Sequence, residues 1–312
     1  MVIDACGNQF PDLGVLSAAI ATPYNEEGSV DLGKLRDLVR YYVDTGIEGI
    51  YCCGSSGEGL LLTDNERSAV IEASVEATAQ KIPVVAHVGA LSTGTAIELA
   101  KRASDVGATA ISMIPPIYYT LSLDAVVAHY RAVMDATGLP LIIYNIPQFT
   151  GTEFDQNSIR ELMDDPRIIG MKQTAHNMFA LERIATEFPE KTIINGFDEV
   201  YLAATVAGAK GSIGTTVGLQ IKLFKAIRSL LIQGDLASAM KIQSMVNEVI
   251  EKLVAIDVFP AAKYLSGLRS VGDLGPCRRP FLPLSDEDKA RIRSLAARID
   301  SFEREAAAMQ NP

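Results

Sequence analysis

Several features are scarce or missing in this chain, and each absence narrows what it can do. Basic residues are in deficit, with 28 Lys and Arg against 38 Asp and Glu and a net charge of -10. Nucleic acid is therefore not expected as a partner, because phosphate binding needs a basic face and the sequence shows none. No apolar stretch approaches the roughly 20 residues that a membrane span requires. Residues 1–14 (MVIDACGNQFPDLG) have neither a basic start nor an apolar run, so they do not read as a signal peptide. Only four cysteines occur, Cys6, Cys52, Cys53 and Cys277, and none forms a CxxC pair. They read as reduced thiols of a cytoplasmic protein, with Cys52 and Cys53 expected to face opposite sides of a strand. The three histidines, His87, His129 and His176, have no metal-ligand spacing, so no metal is expected and His87 reads as a core residue.

What is present is a long chain with ample core-forming material: 312 residues, of which 48% are hydrophobic and 21% charged. Short apolar runs at 15–23, 47–54, 82–89, 108–115, 140–146, 168–174, 192–197 and 210–215 alternate with helical patterns such as 31–45, 64–81, 95–106 and 123–136. The runs are continuous rather than alternating, as expected of strands buried on both faces. Thr63 followed by Glu66 forms a capping box, and Gly46, Gly107 and Gly138 mark helix ends. Eight strands each followed by a helix predict an α/β fold, a closed (β/α)8 TIM barrel, with a doubly wound open sheet as the other architecture that periodicity allows. Beyond about Gly218 only helical patterns remain, at 219–233, 235–256, 260–268 and 285–305. The organisation expected is a barrel over 1–234 and a C-terminal helical extension over 235–312 packed on it.

Barrel enzymes place their chemistry at the C-terminal ends of the strands. Those ends carry Thr22, Ser55, Ser56, Tyr144, Lys172, Asp198 and Thr215. Lys172 sits in the otherwise apolar segment IIGMKQT. Burial disfavours an ammonium, and a neutral amine is a nucleophile toward a carbonyl. A strand-end lysine can equally reach water or pair with a carboxylate. Tyr144 lies 28 residues earlier, one βα unit away, in LIIYNIP. Beside a reactive lysine a phenol can shuttle a proton, although most strand tyrosines are simply core. The loop GSSGEG at 54–59 offers hydroxyls and backbone N–H groups to an anion but lacks the GK[ST] ending of a P-loop; alone it can also be only a tight turn. Asp198 and Glu199 can bind a hydroxylated ligand or cap the following helix.

Taken in order and spacing, GSSGE at 54–58, YNIP at 144–147 and GMKQT at 170–174 resemble the N-acetylneuraminate lyase and dihydrodipicolinate synthase superfamily, over about residues 15–281. The resemblance implies a class I aldolase on a (β/α)8 barrel, usually a homotetramer, with no metal or organic cofactor. It implies Lys172 as the Schiff-base lysine and Tyr144 as the general acid/base. Ser55 and Ser56 would hold the pyruvyl carboxylate, Ser56 standing where relatives often have Thr. Tyr118, in PPIYY, would reach into a neighbouring subunit's site. The details resemble the lyase branch. Phe149 stands where the synthases carry the Arg that holds a dicarboxylic product. The stretches KQT and NGFDE, at 195–199, and the tail CRRPF, at 277–281, are lyase-like. Phe197 and Thr215 replace the Tyr and Ser of some lyases. Thr174, Gly196, Asp198, Glu199 and Thr215 would then bind the sugar of N-acetylneuraminate, which is cleaved to N-acetylmannosamine and pyruvate. The readings left beside this one are a sister 2-oxo-acid aldolase or dehydratase, including dihydrodipicolinate synthase, and a non-catalytic barrel that binds pyruvate or a sugar acid. Keeping both Tyr144 and Lys172 argues against the last, since binding alone needs no nucleophile.

Overall fold

Each of the eight apolar runs contains a short strand, and hydrogen bonding closes them into a ring. The structure, a computed structural model, describes residues 2–3, 9–10, 13–152, 154 and 156–310. Val2–Ile3 (β1) and Gln9–Phe10 (β2) form a two-stranded antiparallel sheet that no sequence pattern announced. Cys6 lies outside the described residues. The barrel strands are β3 (Leu16–Ala19), β4 (Gly49–Cys52), β5 (Val84–His87), β6 (Ala110–Met113), β7 (Leu141–Asn145), β8 (Ile168–Gln173), β9 (Thr192–Asn195) and β10 (Gly211–Gly214). Every neighbouring pair is parallel, and β10 returns to β3 through Ser212↔Leu16. That pairing rules out the doubly wound open sheet.

Burial on both faces explains the continuous apolar runs. Along β7, Ile142 and Tyr144 belong to the core inside the barrel, with Tyr51, Val85, Ala110, Ile194 and Ile213. Leu141 and Ile143 belong to the larger core between the strands and the surrounding helices. Strand geometry thus decides which residues can meet inside the mouth, since alternate side chains face the same way.

Helix ends follow local capping chemistry. Asp31 caps α1 (Leu32–Asp44) by accepting from the Lys34 amide. The Thr63–Glu66 capping box opens α2 (Asp64–Thr78). This helix stops short of the predicted Lys81 because Ala79 and Gln80 take positive φ values of 48° and 59°. Ser92 starts α3 (Thr93–Asp105) two residues early by accepting from the Thr95 amide. Ser122 opens α4 (Leu123–Thr137), which Gly138 closes in the left-handed conformation. Next come α5 (Pro147–Thr150), α6 (Gln156–Met163), α7 (Met178–Glu187), α8 (Tyr201–Val206) and α9 (Ile221–Ile232). The chain ends in α10 (Leu236–Ile256), α11 (Val258–Arg269) and α12 (Asp286–Gln310). Helix α10 packs along α9 and on the turn after β9, while α12 packs on both α11 and α9. Among the described residues no helix is long and apolar enough to cross a membrane.

The adjacent cysteines depart from the strand expectation. Strand β4 ends at Cys52, and Cys53 turns away with a φ of 59°. Both thiols are therefore buried in the same core between strands and helices, Cys52 Sγ donating to the Val85 carbonyl at 3.8 Å and Cys53 Sγ to that of Arg67 at 3.6 Å, instead of facing opposite sides.

Candidate active site

Strand register brings Lys172 and Tyr144 together. They are direct partners across β7 and β8. The Lys172 side chain, on a residue only 4% exposed, places Nζ 4.0 Å from the centre of the Tyr144 ring and 4.6 Å from that of Tyr51. These are cation–π distances. Among the described residues, Lys172 Nζ has no hydrogen bond to another side chain or carbonyl and no ion pair. The other two buried lysines differ. Lys191 donates to the carbonyls of Asp165 and Ile168, and Lys263 pairs with Glu58.

Aromatic edges and one hydrogen bond fix the floor around this amine. Tyr51 donates to Ser112 Oγ at 3.2 Å, so its hydroxyl is committed. The rings of Tyr51 and His87 stand edge-on to Tyr144 with centroids 6.1 and 5.9 Å away. His87 is core, as its sequence setting suggested, with Nδ1 3.1 Å from the Cys53 carbonyl. Burial, with Arg67 and Lys172 nearby, holds its imidazole well below the usual histidine pKa. Its contribution is a neutral aromatic wall.

The glycine-rich loop closes as a tight turn at the end of β4. Gly57 and Gly59 amides donate to the Gly54 carbonyl, and the Glu58 amide donates to that of Ser55. Thr22 Oγ1 donates to the Gly57 carbonyl at 2.7 Å, tying the turn to the end of β3. Position 59 admits only glycine, because a Cβ there would lie 1.7 Å from the Cys53 carbonyl oxygen. The turn carries Ser56 to the far side of the mouth, where Oγ lies 2.6 Å from Thr215 Oγ1.

Beyond β9 neither carboxylate makes a side-chain capping bond to the helix that follows. Asp198 opens a 3-10 turn with no side-chain capping bond. Its Oδ2 instead accepts from the amide and hydroxyl of Thr216, both at 2.7 Å. Burial is the main cause that pushes the Asp198 carboxyl up to about 6; the Thr216 donors oppose it, Glu199 adds to it and Lys172 offsets part. Asp198 Oδ1 and Thr174 Oγ1 are both buried without a hydrogen-bond partner in the chain. Glu199 lies 3.2 Å from His176 Nε2, and His176 stacks on Phe197 with ring centres 4.5 Å apart. From α10, Gln243 donates to the Asp198 carbonyl and Asn247 to that of Glu199.

Lys172, Tyr144, Ser55, Ser56, Thr174, Gly196, Asp198, Glu199 and Thr215 all line one cavity of about 270 Å³ at the C-terminal mouth of the barrel. Tyr118 does not line it. It is 87% exposed, with a φ of 80°, and its ring stands edge-on to Tyr119 with centroids 5.0 Å apart. The cavity also takes Ile250, Val254, Val258 and Phe259 from α10 and α11. Sequence reasoning missed these because an apolar helix face reads as core whether it covers a strand or a ligand. Gln148, Phe149 and His176 complete the rim, and among the described residues Lys172 is the only lysine or arginine in the lining. No cluster of metal-binding side chains occurs among the described residues.

Fold and site together define a (β/α)8 barrel protein whose mouth holds a buried lysine beside a tyrosine, with carboxylates and hydroxyls opposite. The chain belongs to the dihydrodipicolinate synthetase family, whose sequence profile matches residues 12–299. It is 39% identical to the N-acetylneuraminate lyase of Rhizobium meliloti, over 90% of this chain and 94% of that protein. The wild-type sialic acid aldolase of Ruminococcus gnavus superimposes with a TM-score of 0.90 at 31% identity, covering 94% of this chain and 98% of that one. The N-acetylneuraminate lyase of Fusobacterium nucleatum gives a TM-score of 0.87 at 32% identity, covering 91% and 98%.

Proposed function

We propose that this protein is a cytoplasmic class I aldolase that cleaves N-acetylneuraminate to N-acetylmannosamine and pyruvate, without metal or organic cofactor. The observation that carries the reading is the buried, untethered Lys172 amine against the face of Tyr144. The amine adds to the C2 ketone of the open-chain sugar acid, and loss of water leaves an iminium. Tyr144, relayed through the substrate carboxylate, takes the C4 hydroxyl proton. The C3–C4 bond breaks, its electrons pass to the iminium to give an enamine, and the aldehyde leaves. Protonation at C3 and hydrolysis release pyruvate and restore Lys172. Ser55 and Ser56 hold the carboxylate. Thr174, Gly196, Asp198, Glu199 and Thr215 receive the sugar hydroxyls. In this reading the protein is a homotetramer in which Tyr118 serves a neighbouring site, and 235–312 is a helical extension that helps wall the pocket.

Phe149 supports the sugar over a dicarboxylate. It lines the rim, and no guanidinium accompanies it. A second carboxylate entering unpaired would cost several kcal/mol, roughly, by loss of hydration. Hydroxyls suit the free Asp198 and Thr174 oxygens. Pyruvate release from a panel of sialic and deoxy-sugar acids should be strongest with N-acetylneuraminate, with no useful condensation of pyruvate and aspartate semialdehyde. Efficient synthase activity with no sialic acid cleavage would overturn the substrate reading and leave the lysine chemistry standing.

Asp198 adds a pH signature. With its carboxyl near 6, it is neutral below that pH and an anionic acceptor above it. Hydrogen bonds to an ionised acceptor are the stronger ones. The value of kcat/KM for N-acetylneuraminate should therefore rise through about pH 6, and Asp198→Asn should lose that limb. Stability runs the other way. A carboxyl raised in the fold keeps a proton the unfolded chain has released, so its contribution falls as pH climbs from about 4 to 6. Thermal melts of wild type against Asp198→Asn should converge or cross in that window; identical pH profiles of kcat/KM would remove Asp198 from substrate binding.

A further inference from the structure

Behind the serine loop, away from the cavity, lies a second charged assembly. Glu58 is 3% exposed and Lys263, on α11, is 2% exposed. Lys263 Nζ donates to Glu58 Oε1 at 2.9 Å and to the Pro276 carbonyl at 3.1 Å. It also sits 3.9 Å over the ring of Tyr24. The other carboxylate oxygen of Glu58 accepts from the Arg278 amide at 2.6 Å. The Arg278 guanidinium in turn reaches the carbonyls of Leu61 and Gly28 and the carboxylate of Glu66. Both Glu58 oxygens are thus held from the C-terminal part of the chain.

Two facts separate this pair from ordinary packing. Glu58 has a φ of 55°, a left-handed conformation that a glutamate keeps only when its surroundings impose it. In that conformation its amide closes the turn onto the Ser55 carbonyl. A buried ion pair is also a poor source of stability, since apolar residues of similar volume often serve as well or better. What such a pair supplies is a unique geometry, because a buried charge tolerates only the arrangement that satisfies it. Here that geometry is the conformation of the turn that presents Ser55 and Ser56.

We propose that Glu58 and Lys263 are positioning residues: the pair sets the serine loop from behind and so fixes affinity for the substrate carboxylate without touching substrate. This rests on the reading that Ser55 and Ser56 hold that carboxylate.

Borohydride trapping of pyruvate on the full chain tests it, with half-saturation and melting temperature measured for wild type, Lys263→Met, Glu58→Gln and the double variant. Each single variant leaves a buried group unpaired, so both should melt lower and need about ten-fold more pyruvate, with the maximal trapping level kept. The double variant strands no charge. Its melting temperature should recover toward wild type while its pyruvate half-saturation stays about ten-fold high. A merely structural pair predicts that affinity recovers together with melting temperature, and that result overturns the proposal. If a single variant fails to fold, the double variant carries the comparison alone. Failure of the wild type to trap pyruvate would instead count against the Schiff-base reading, so the two outcomes are distinguishable.

Discussion

Pyruvate and borohydride should leave a stable secondary amine on Lys172, and Lys172→Ala should abolish both that adduct and turnover. Among the described residues three lysines are buried, and they differ in what holds the nitrogen. Lys191 and Lys263 are each anchored by oxygen acceptors, which hold an ammonium in place and occupy the nitrogen. Lys172 meets ring faces instead, so its nitrogen is free to approach a carbonyl carbon. Only a nitrogen placed that way can add to a ketone, lose water and be reduced. Turnover should fall by about 10⁴-fold or more, the scale on which loss of a covalent nucleophile acts in other enzymes. The fold should survive, because the change removes a side chain that anchors no other group through a hydrogen bond and leaves strand β8 and its pairings in place. Peptide mapping locates the adduct, and circular dichroism checks the fold. An adduct on another lysine, or none, would sink the mechanism.

The eight strands were legible because parallel strands buried on both faces read as short continuous apolar runs between helical patterns, as in LIIYN at 141–145. Closure was not legible, since Ser212 and Leu16 are distant in sequence and meet only through the accumulated tilt of the strands. Helix ends were readable where one side chain decides them, as at Thr63, and misread where backbone conformation does, as at Ala79. The hairpin of Val2–Ile3 and Gln9–Phe10 is too short to carry a pattern.

In the site, polar residues at strand ends announced themselves against an apolar background. Lys172 and Tyr144 share a register, which periodicity supports but cannot demonstrate. The walls contributed by Val254, Val258 and Phe259 were hidden, because their spacing is that of any amphipathic helix. The Glu58–Lys263 pair was hidden for another reason: 205 residues separate the partners, and no local rule links them. Tyr118 remains the one site residue whose assignment depends wholly on resemblance, since within the chain it faces outward.

Tyr144→Phe should slow carbon–carbon cleavage by about 10²-fold or more while leaving imine formation largely intact. The substitution is a narrow one. A phenyl ring keeps the face that Lys172 packs on and the edges presented by Tyr51 and His87, so the amine stays where it is. What disappears is one hydroxyl at the mouth of the barrel. Tyr51 cannot replace it at once, because its own hydroxyl is bonded to Ser112. His87 cannot either, since its Nδ1 faces the Cys53 carbonyl and its Nε2 lies 3.4 Å from the Ile114 amide. Without a positioned proton shuttle the C4 hydroxyl loses its proton only slowly, and breaking of the C3–C4 bond slows with it. Borohydride trapping of pyruvate in Tyr144→Phe should therefore approach wild-type extent, while the rate of N-acetylneuraminate cleavage collapses. The two readouts separate a proton-transfer role from a packing role, because a disturbed pocket would lower both together. Near-normal cleavage in this variant would remove Tyr144 from proton transfer and direct attention to the carboxylate of the substrate itself as the base.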